Sequence, residues 1–243
     1  MVTDRPDRTE STSIVQPGYV QLEIGWTHAE SDEPGADFTT DSFPELLARI
    51  GMTPRLELRV GFGGYQWADA DVSGEGRFDE SGAADSSLGV KLHLADEGET
   101  RPEMALLAAT SLPTGASAFT SDQADPFAGL LVSKTLSDRF SLGANLGVGW
   151  GTVEDGNGDE DTLSRAVWTA ALGIGLTERL GTFVELYGDA ALSDSGRPAN
   201  AFDTGLTWLV RPNLQLDCAA GFGISDAAED WFLGVGVSWR LPE

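Results

Sequence analysis

The residues of this chain best suited to chemistry are charged side chains within stretches that are otherwise apolar, small or rich in glycine. Both charge signs occur among them, which favours ion pairs between neighbouring stretches over a ring of one sign. Two uses stay open: a packed polar network that stiffens an interior, or a constriction that sorts solutes. The candidates for such an interior site are Glu23, Arg49, Glu57, Arg59, Lys91, Arg165, Glu185, Arg211, Asp217 and Arg240.

Catalysis finds little support in the residue types. His28 and His93 are the only histidines, and Cys218 is the single cysteine, which excludes a disulfide within the chain and a cysteine zinc site. A serine hydrolase needs a serine beside a histidine, yet Lys91 and Ala95 flank His93 on its own face of a strand. His28 stands at a loop edge among acids and leaves a histidine-dependent hydrolase open. We predict that the protein is not an enzyme and binds no cofactor.

An acidic run at residues 155–161 resembles the start of a calcium-binding loop. Glu160 stands at the sixth position, where that loop needs glycine, and Ala166 stands at the twelfth, where it needs glutamate. We therefore predict an acidic hairpin loop and no metal site.

The elements that position the charged residues are predicted by a period of two. In the last stretch, Trp231, Leu233, Val235, Val237 and Trp239 alternate with small or polar residues. Successive side chains of a strand point to opposite faces of a sheet, so one face here is apolar and the other polar. Protein covers the apolar face in a soluble sandwich, whereas lipid covers it in a membrane barrel and the polar face lines the lumen.

About twelve stretches alternate in this way, and none has the spacing of an amphipathic helix or a run of eighteen apolar residues. Short and long connections follow one another, which is typical of up-and-down outer-membrane barrels and not of Greek-key sandwiches. We predict an all-β fold, a single up-and-down antiparallel transmembrane β-barrel of about 12 strands, over residues 17–243. The predicted strands are 18–28, 43–52, 55–66, 86–95, 102–112, 127–136, 139–151, 163–176, 180–190, 200–211, 213–224 and 230–241. The predicted longer loops are 29–42, 67–85, 113–126, 152–162, 191–199 and 225–229.

The net charge of −24 is concentrated in these loops, which together with Asp230 at the edge of the last one hold 22 acidic residues against 2 basic ones. Such a charge excludes a general nucleic-acid binder, which needs a basic face. A solvated rim of mutually repelling charges explains these acidic residues. Two other roles stay open: an electric field that attracts cations, and binding of divalent cations that bridge the loops to lipid headgroups. An ionised group facing lipid near the membrane midplane costs roughly 2–4 kcal/mol, so we expect the charges within strands to face the lumen.

Several blocks, in order along nearly the whole chain, resemble a known family. They are TDRPDRTES at 3–11, PG at 17–18, QLE at 21–23, LELR at 56–59, LPTG at 112–115, NLG at 145–147 and the stretch 205–217. The family consists of bacterial outer-membrane, transporter-like proteins named for the MetA pathway of phenol degradation. The resemblance implies an outer-membrane barrel that passes small hydrophobic or aromatic solutes, and it implies no catalytic residues. The chain departs from the usual barrel ending, a terminal aromatic residue.

Residues 1–16 precede the first strand and do not alternate. They could dangle as a disordered periplasmic tail, or they could fold into the lumen as a plug whose arginines meet interior acids. The plug candidates are Arg5, Asp7 and Arg8, and the family resemblance at residues 3–7 favours the plug.

The predicted function is a narrow channel for passive passage of small solutes. The alternative is a non-conducting structural or surface-binding barrel whose acidic loops contact ions, lipid headgroups or a partner. The expected partners are outer-membrane lipid, a small-molecule solute and the barrel-assembly machinery, and the sequence does not fix an oligomeric state. We expect an outer-membrane location with both termini in the periplasm, after removal of a signal peptide.

Overall fold

The computed structural model describes residues 1–154, 160–192 and 196–242 and is almost entirely β-sheet. Its strands are β1 (Val20–Glu33), β2 (Ala36–Thr53), β3 (Leu56–Phe62), β4 (Tyr65–Val72), β5 (Gly76–Ala83), β6 (Ser86–Ala95), β7 (Glu103–Leu112), β8 (Pro126–Thr135), β9 (Phe140–Glu154), β10 (Glu160–Gly175), β11 (Leu180–Ala191), β12 (Ala199–Arg211), β13 (Leu214–Gly223) and β14 (Trp231–Leu241). The acidic run considered above as a calcium loop lies mostly outside the described residues, at 155–159. In the parts of the chain that the structure describes, no helix is long and apolar enough to cross a membrane.

Twelve of these strands close into an antiparallel barrel. β1 pairs with β2 on one side and with β14 on the other, and this double pairing joins the two ends of the sheet. The closed ring consists of β1, β2, β3 and β6 to β14 in sequence order around the wall. The predicted single up-and-down barrel of about 12 strands is confirmed.

β4 and β5 form an additional hairpin that continues the wall on one side. β4 pairs with residues 36–43 of β2, above the part of β2 that pairs with β3. β3 and β4 thus follow one line along β2, interrupted at Gly63 and Gly64. Gly64 has a φ of +94°, a backbone conformation that glycine adopts without a side-chain clash.

The prediction of long loops at 29–42 and 67–85 is wrong, because strands occupy most of both ranges. β1 and β2 meet at a tight turn through Pro34 and Gly35, and β4 and β5 fill most of the second range. The side chains of residues 76–81 are exposed. A strand exposed on both faces needs no apolar alternation, so its sequence carries no period-two signal.

The apolar faces of the strands point outward and the charged faces point inward. Leu146 is 64% exposed and Val235 is 44% exposed on the outer surface, whereas Glu57 and Lys91 on the inner surface are fully buried. Because the charged side chains are enclosed and the apolar ones are not, the interior is the reverse of a soluble protein core. The sequence prediction for the faces of the strands is confirmed.

Candidate functional site

A group of charged side chains, the central cluster, occupies the lumen near β1, β2, β3 and β6. It consists of Glu23, Arg49, Glu57, Arg59 and Lys91, which share the lumen because alternate residues of a strand share a face. Arg49 Nε lies 2.9 Å from Glu57 Oε1, and Arg49 Nη1 lies 3.2 Å from Glu23 Oε1. Lys91 stands opposite Glu57 in the register of β3 and β6. The structure therefore brings these five predicted residues together.

Residues 1–16, the N-terminal segment, lie inside the barrel and add two acids to the central cluster. The Asp4 carboxylate lies 3.0 Å from Arg49 Nη1, 2.5 Å from Arg59 Nη1 and 3.0 Å from Lys91 Nζ. Glu10 lies 2.7 Å from Arg59 Nη2 and 3.2 Å from Lys91 Nζ. Without the segment the cluster would hold three cations and two carboxylates, so the segment supplies the missing negative charge.

The pKa of Asp4 shows how strongly this environment favours its ionised form. Burial works against ionisation, but attraction to Arg49, Lys91 and Arg59 outweighs it and holds the pKa of Asp4 well below its ordinary value. A carboxyl whose pKa is lowered by docking stabilises the docked segment at every pH above the ordinary pKa of that carboxyl. This stabilisation is lost as the pH falls through the lowered pKa. Asp4 therefore remains an anchor except in strong acid.

The barrel wall also satisfies backbone N–H groups of the N-terminal segment, which has no regular secondary structure of its own. The backbone nitrogens of Asp4 and Arg5 each donate to Glu23 Oε2 at 3.0 Å. The backbone nitrogen of Val15 donates to Glu57 Oε2 at 2.7 Å. Because an unpaired buried N–H group is costly, these contacts fix the path of the segment as well as its charge.

Hydroxyl groups attach the segment to the other side of the barrel. Thr9 Oγ1 donates to Thr169 Oγ1 of β10 at 2.7 Å. Thr12 Oγ1 lies 2.7 Å from Ser133 Oγ of β8 and donates to Glu103 Oε2 of β7 at 2.6 Å. The segment is thus held by strands around much of the barrel.

Glycines in the inner wall allow the segment to approach it closely. A Cβ at Gly51 would lie 2.0 Å from the carbonyl oxygen of Gln16, so alanine there would have to displace the backbone where the segment meets β1. A Cβ at Gly25 or Gly236 would lie 2.1 or 2.5 Å from the guanidinium group of Arg5. These positions leave the space that the segment fills.

Arg5, a plug candidate, contacts acids of the wall. Its Nη1 lies 3.1 Å from Glu45 Oε2, and its Nε lies 3.6 Å from Asp217 Oδ1. The segment therefore places acids against the basic side chains of the central cluster and an arginine against acids elsewhere in the lumen.

Asp7 lies near two further acids of the wall. Glu185 and Asp203 are register partners on β11 and β12, both are buried, and the Asp203 carboxylate accepts no hydrogen bond from the described residues. Enclosure in the lumen and the nearby carboxylates Glu185, Asp203 and Asp4 raise the pKa of Asp7 well above its ordinary value. Docking of the segment therefore favours the protonated form of Asp7.

We expect the pH dependence of docking to weaken in the variant Asp7→Asn. A carboxyl with a raised pKa binds its proton more tightly in the docked state, so docking loses stability as pH rises from the ordinary aspartate range through the raised pKa. Asparagine stays neutral and removes this loss. The measurement is the rate at which trypsin cleaves after Arg8, taken as the ratio of wild type to D7N at each pH so that the pH dependence of trypsin cancels. We expect the ratio to rise with pH, and a constant ratio would contradict the assignment.

Arg8 is exposed to the lumen and differs from the other basic residues of the site. Its Cζ lies 5.7 Å from the ring centroid of Tyr187 and 5.3 Å from that of Phe232, within the range of cation–π contacts. Its backbone nitrogen donates to Glu185 Oε2 at 2.7 Å. Its side chain forms no ion pair among the described residues and borders a cavity of about 390 Å³.

Besides Glu185 and Asp217, three predicted site residues lie apart from the central cluster. Arg165 pairs with Asp189 near the long-loop end of the barrel. Arg240 Nη2 donates to Gln21 Oε1 at 2.6 Å near the opposite end. Arg211 is the exposed last residue of β12 and forms no ion pair among the described residues.

The histidines have acidic neighbours. His93 Nε2 lies 2.8 Å from Asp96 Oδ1, and His28 Nδ1 lies 3.2 Å from Asp41 Oδ1. Neither histidine hydrogen-bonds a serine in the described parts of the chain. Within those parts, no group of three or more His, Cys, Asp or Glu residues could hold a metal ion.

The sequence prediction missed three residues that matter here. Asp4 and Glu10 make the strongest contacts of the segment, although only its arginines and Asp7 were singled out. The surplus of cations in the first strands could have indicated that acids were needed. Asp203 shares the polar face of β12 with Gly205, so alternation alone could have placed it in the lumen.

Comparisons with known proteins agree with this architecture. The model of the family described as "Putative MetA-pathway of phenol degradation" matches residues 3–241. No curated protein matches the sequence. The structure is similar to the COG4313 outer membrane channel from Pseudomonas putida F1, with 14% sequence identity, a TM-score of 0.75, and coverage of 95% of this chain and 98% of that chain.

Two other solved barrels are similar at lower scores. The NanC porin has 11% identity and a TM-score of 0.59, with coverage of 91% of this chain and 100% of that chain. The translocator domain of the autotransporter NalP from Neisseria meningitidis has 8% identity and a TM-score of 0.55, with coverage of 92% and 88%. At these identities the likeness establishes the outer-membrane barrel fold.

Proposed function

Because the family model covers almost the whole chain, the chain belongs to the family described as "Putative MetA-pathway of phenol degradation". We propose that it is an outer-membrane channel for passive passage of small solutes. The observation that carries this proposal is a closed barrel with a charged inner wall and open space around the N-terminal segment. One cavity of about 520 Å³ lies beside Glu10 and Arg59, and another of about 260 Å³ lies beside Thr9 and Thr12. Space of this size suits small molecules.

We further propose that the solutes are hydrophobic or aromatic. The family description refers to phenol degradation. The 520 Å³ cavity is bordered by Leu107 and Phe127, and the 390 Å³ cavity by Tyr187 and Phe232. These apolar surfaces beside charged groups support solutes with an apolar body.

Deletion of residues 1–16 is expected to raise the single-channel conductance in planar bilayers severalfold. The segment occupies the middle of the lumen and carries Asp4 and Glu10 into the central cluster, so its removal widens the water-filled path. Unchanged conductance would contradict a role as a plug.

The double variant Asp4→Asn and Glu10→Gln is the matched control for this deletion. It keeps the length of the segment but removes the two acids that meet Arg59 and Lys91. We expect the double variant to open briefly, and each opening to reach the conductance level of the deletion variant. A difference in electrophoretic mobility between heated and unheated samples shows whether each variant folds as a barrel.

A non-conducting structural or surface-binding barrel is the second candidate. It is favoured by the acidic long-loop end, where a cavity of about 890 Å³ is bordered by Asp32, Glu33, Asp226 and Asp230. A folded wild-type barrel that shows no current, before and after deletion of the segment, would support this alternative.

We propose that the short-turn end of the barrel faces the periplasm. The chain enters β1 and leaves β14 at that end, where Val20 pairs with Leu241 and with Ile50. Outer-membrane barrels keep their short turns in the periplasm. The same orientation supports insertion from the periplasm by the barrel-assembly machinery.

A further inference from the structure

The cavities of the lumen form a row that runs past the N-terminal segment. The cavity at the long-loop end shares Ala227 and Ala228 with the 390 Å³ cavity. The 390 Å³ cavity shares Arg8 and Phe232 with a further cavity of about 240 Å³. That cavity in turn shares Asp7 and Glu10 with the 260 Å³ cavity, which extends to the beginning of β9 at the short-turn end.

The strongest anchors of the segment border the middle of this row, where Asp4 and Glu10 line the 240 Å³ cavity. Asp4 and Glu10 are bound by the central cluster, and the backbone of Val15 is bound by Glu57. Asp7 and Arg8 line the 240 Å³ cavity too, and Arg8 also lines the 390 Å³ cavity. The Asp4 side chain is only 3% exposed and is held by Arg59 and Lys91, so a solute can pass by small movements of Asp7 and Arg8 while these ion pairs stay intact.

Arg8 has the chemistry of a recognition group on this route. Its guanidinium group lies over the rings of Tyr187 and Phe232 and forms no ion pair with the described residues. The cavity beside it also contains Ala199 and Ala201, which are small and apolar. A planar apolar molecule fits such a surface, and an oxygen acceptor on it would accept hydrogen bonds from the guanidinium group.

We propose that the N-terminal segment stays docked while solutes pass beside it, and that Arg8 is the specificity-determining residue of this passage. It favours planar apolar solutes that carry an oxygen acceptor, either an anionic or a neutral one. This inference rests on the proposed channel function and adds the route and the group that selects along it.

Two disulfide tethers test whether the segment stays docked. In the pairs Thr9 with Thr169 and Thr12 with Ser133, the side-chain oxygens are 2.7 Å apart, so the two side chains of each pair already point toward each other, as a disulfide requires. The variants are T9C/T169C and T12C/S133C, each in a Cys218→Ser background that removes the only native thiol. Single-channel current is recorded for each variant before and after reduction with dithiothreitol.

We expect the oxidised tethered barrels to conduct as well as their reduced forms. Current that is lost on oxidation and restored by dithiothreitol would overturn the inference while leaving the proposed channel function intact. A wild-type barrel with no current under any condition would overturn the proposed function and this inference with it.

The role of Arg8 is tested with three probes that each contain a single benzene ring: benzoate, benzyl alcohol and benzylammonium. We measure the residence time of each probe as a block of the ionic current, because the acidic entrance alters mainly the frequency of encounters. In wild type we expect at least one of the two oxygen-bearing probes to stay severalfold longer than benzylammonium. Arg8→Gln should abolish this difference, and Arg211→Gln, at the exposed end of β12, is the matched control.

The two oxygen-bearing probes identify the acceptor. A response to Arg8→Gln with benzoate alone assigns an anionic oxygen, and a response with both probes shows that a neutral oxygen suffices. Residence times that are equal in wild type and Arg8→Gln for both probes would overturn the role of Arg8.

Discussion

Replacement of Arg49 by alanine is expected to lower the free energy of unfolding by about 3–5 kcal/mol, the range measured when one partner of a buried ion pair is removed. Arg49 contacts Asp4, Glu23 and Glu57 at 3.0, 3.2 and 2.9 Å, and none of these side chains is more than 3% exposed. Without the guanidinium group, three buried carboxylates would lose a shared counter-charge. Urea unfolding of the barrel in lipid vesicles, followed by tryptophan fluorescence, measures the loss.

Arg211→Ala is the matched control for Arg49→Ala. Arg211 is exposed at the end of β12, so the same substitution there should change the free energy of unfolding by less than about 0.5 kcal/mol. Equal losses at the two positions would show that the central cluster does not depend on Arg49. The variant Arg49→Lys keeps one positive charge but loses the two-nitrogen contact with Glu57, and should fall between them.

The same contacts join stability to permeability in this barrel. The wall of a twelve-stranded barrel encloses more space than its own side chains fill, and the N-terminal segment occupies part of the remainder. Its acids lie against the central cluster, and Arg5 lies against Glu45 and Asp217. A substitution that weakens these contacts is therefore expected to affect both unfolding and conductance.

The fold could be predicted because lipid imposes a simple rule on every strand. Alternation in residues 231–241 assigned Val235 and Trp239 to the outer face and Arg240 to the opposite one. The order of the strands then placed Glu23, Arg49 and Glu57 on adjacent strands, which is where the structure has them. Neither step needs knowledge of side-chain contacts, because strand neighbours follow from an up-and-down order.

The contacts of the N-terminal segment could not be predicted in the same way. Residues 1–16 have no repeating geometry, so no sequence period relates Asp4 to Lys91, which lies 87 positions away. The β4–β5 hairpin escaped prediction for a related reason, because residues 76–81 are exposed and carry no apolar signal. Sequence periodicity reveals a strand only where its two faces have different surroundings. It gives no signal for a strand whose two faces are both exposed to water, or for a segment without a regular repeat.

The variant Leu146→Arg is expected to lower the free energy of unfolding in vesicles by about 2–4 kcal/mol, the cost of a lipid-facing arginine near the midplane. Leu146 lies near the middle of β9, is 64% exposed, and pairs with Leu130 and Trp168 of the neighbouring strands. In a soluble protein an exposed leucine tolerates arginine, because water solvates the new charge. The loss is therefore specific to a belt immersed in lipid, and urea unfolding in vesicles measures it.

Leu136→Arg is the control that ties this loss to depth in the membrane. Leu136 is 55% exposed but follows the end of β8 at the short-turn end, where an arginine can reach the interface and costs only about 0–1 kcal/mol. Similar exposure and identical chemistry at the two sites leave depth as the difference between them. A loss at Leu136 equal to that at Leu146 would mean that the apolar belt does not face lipid. The lumen could then not serve as a path across a membrane.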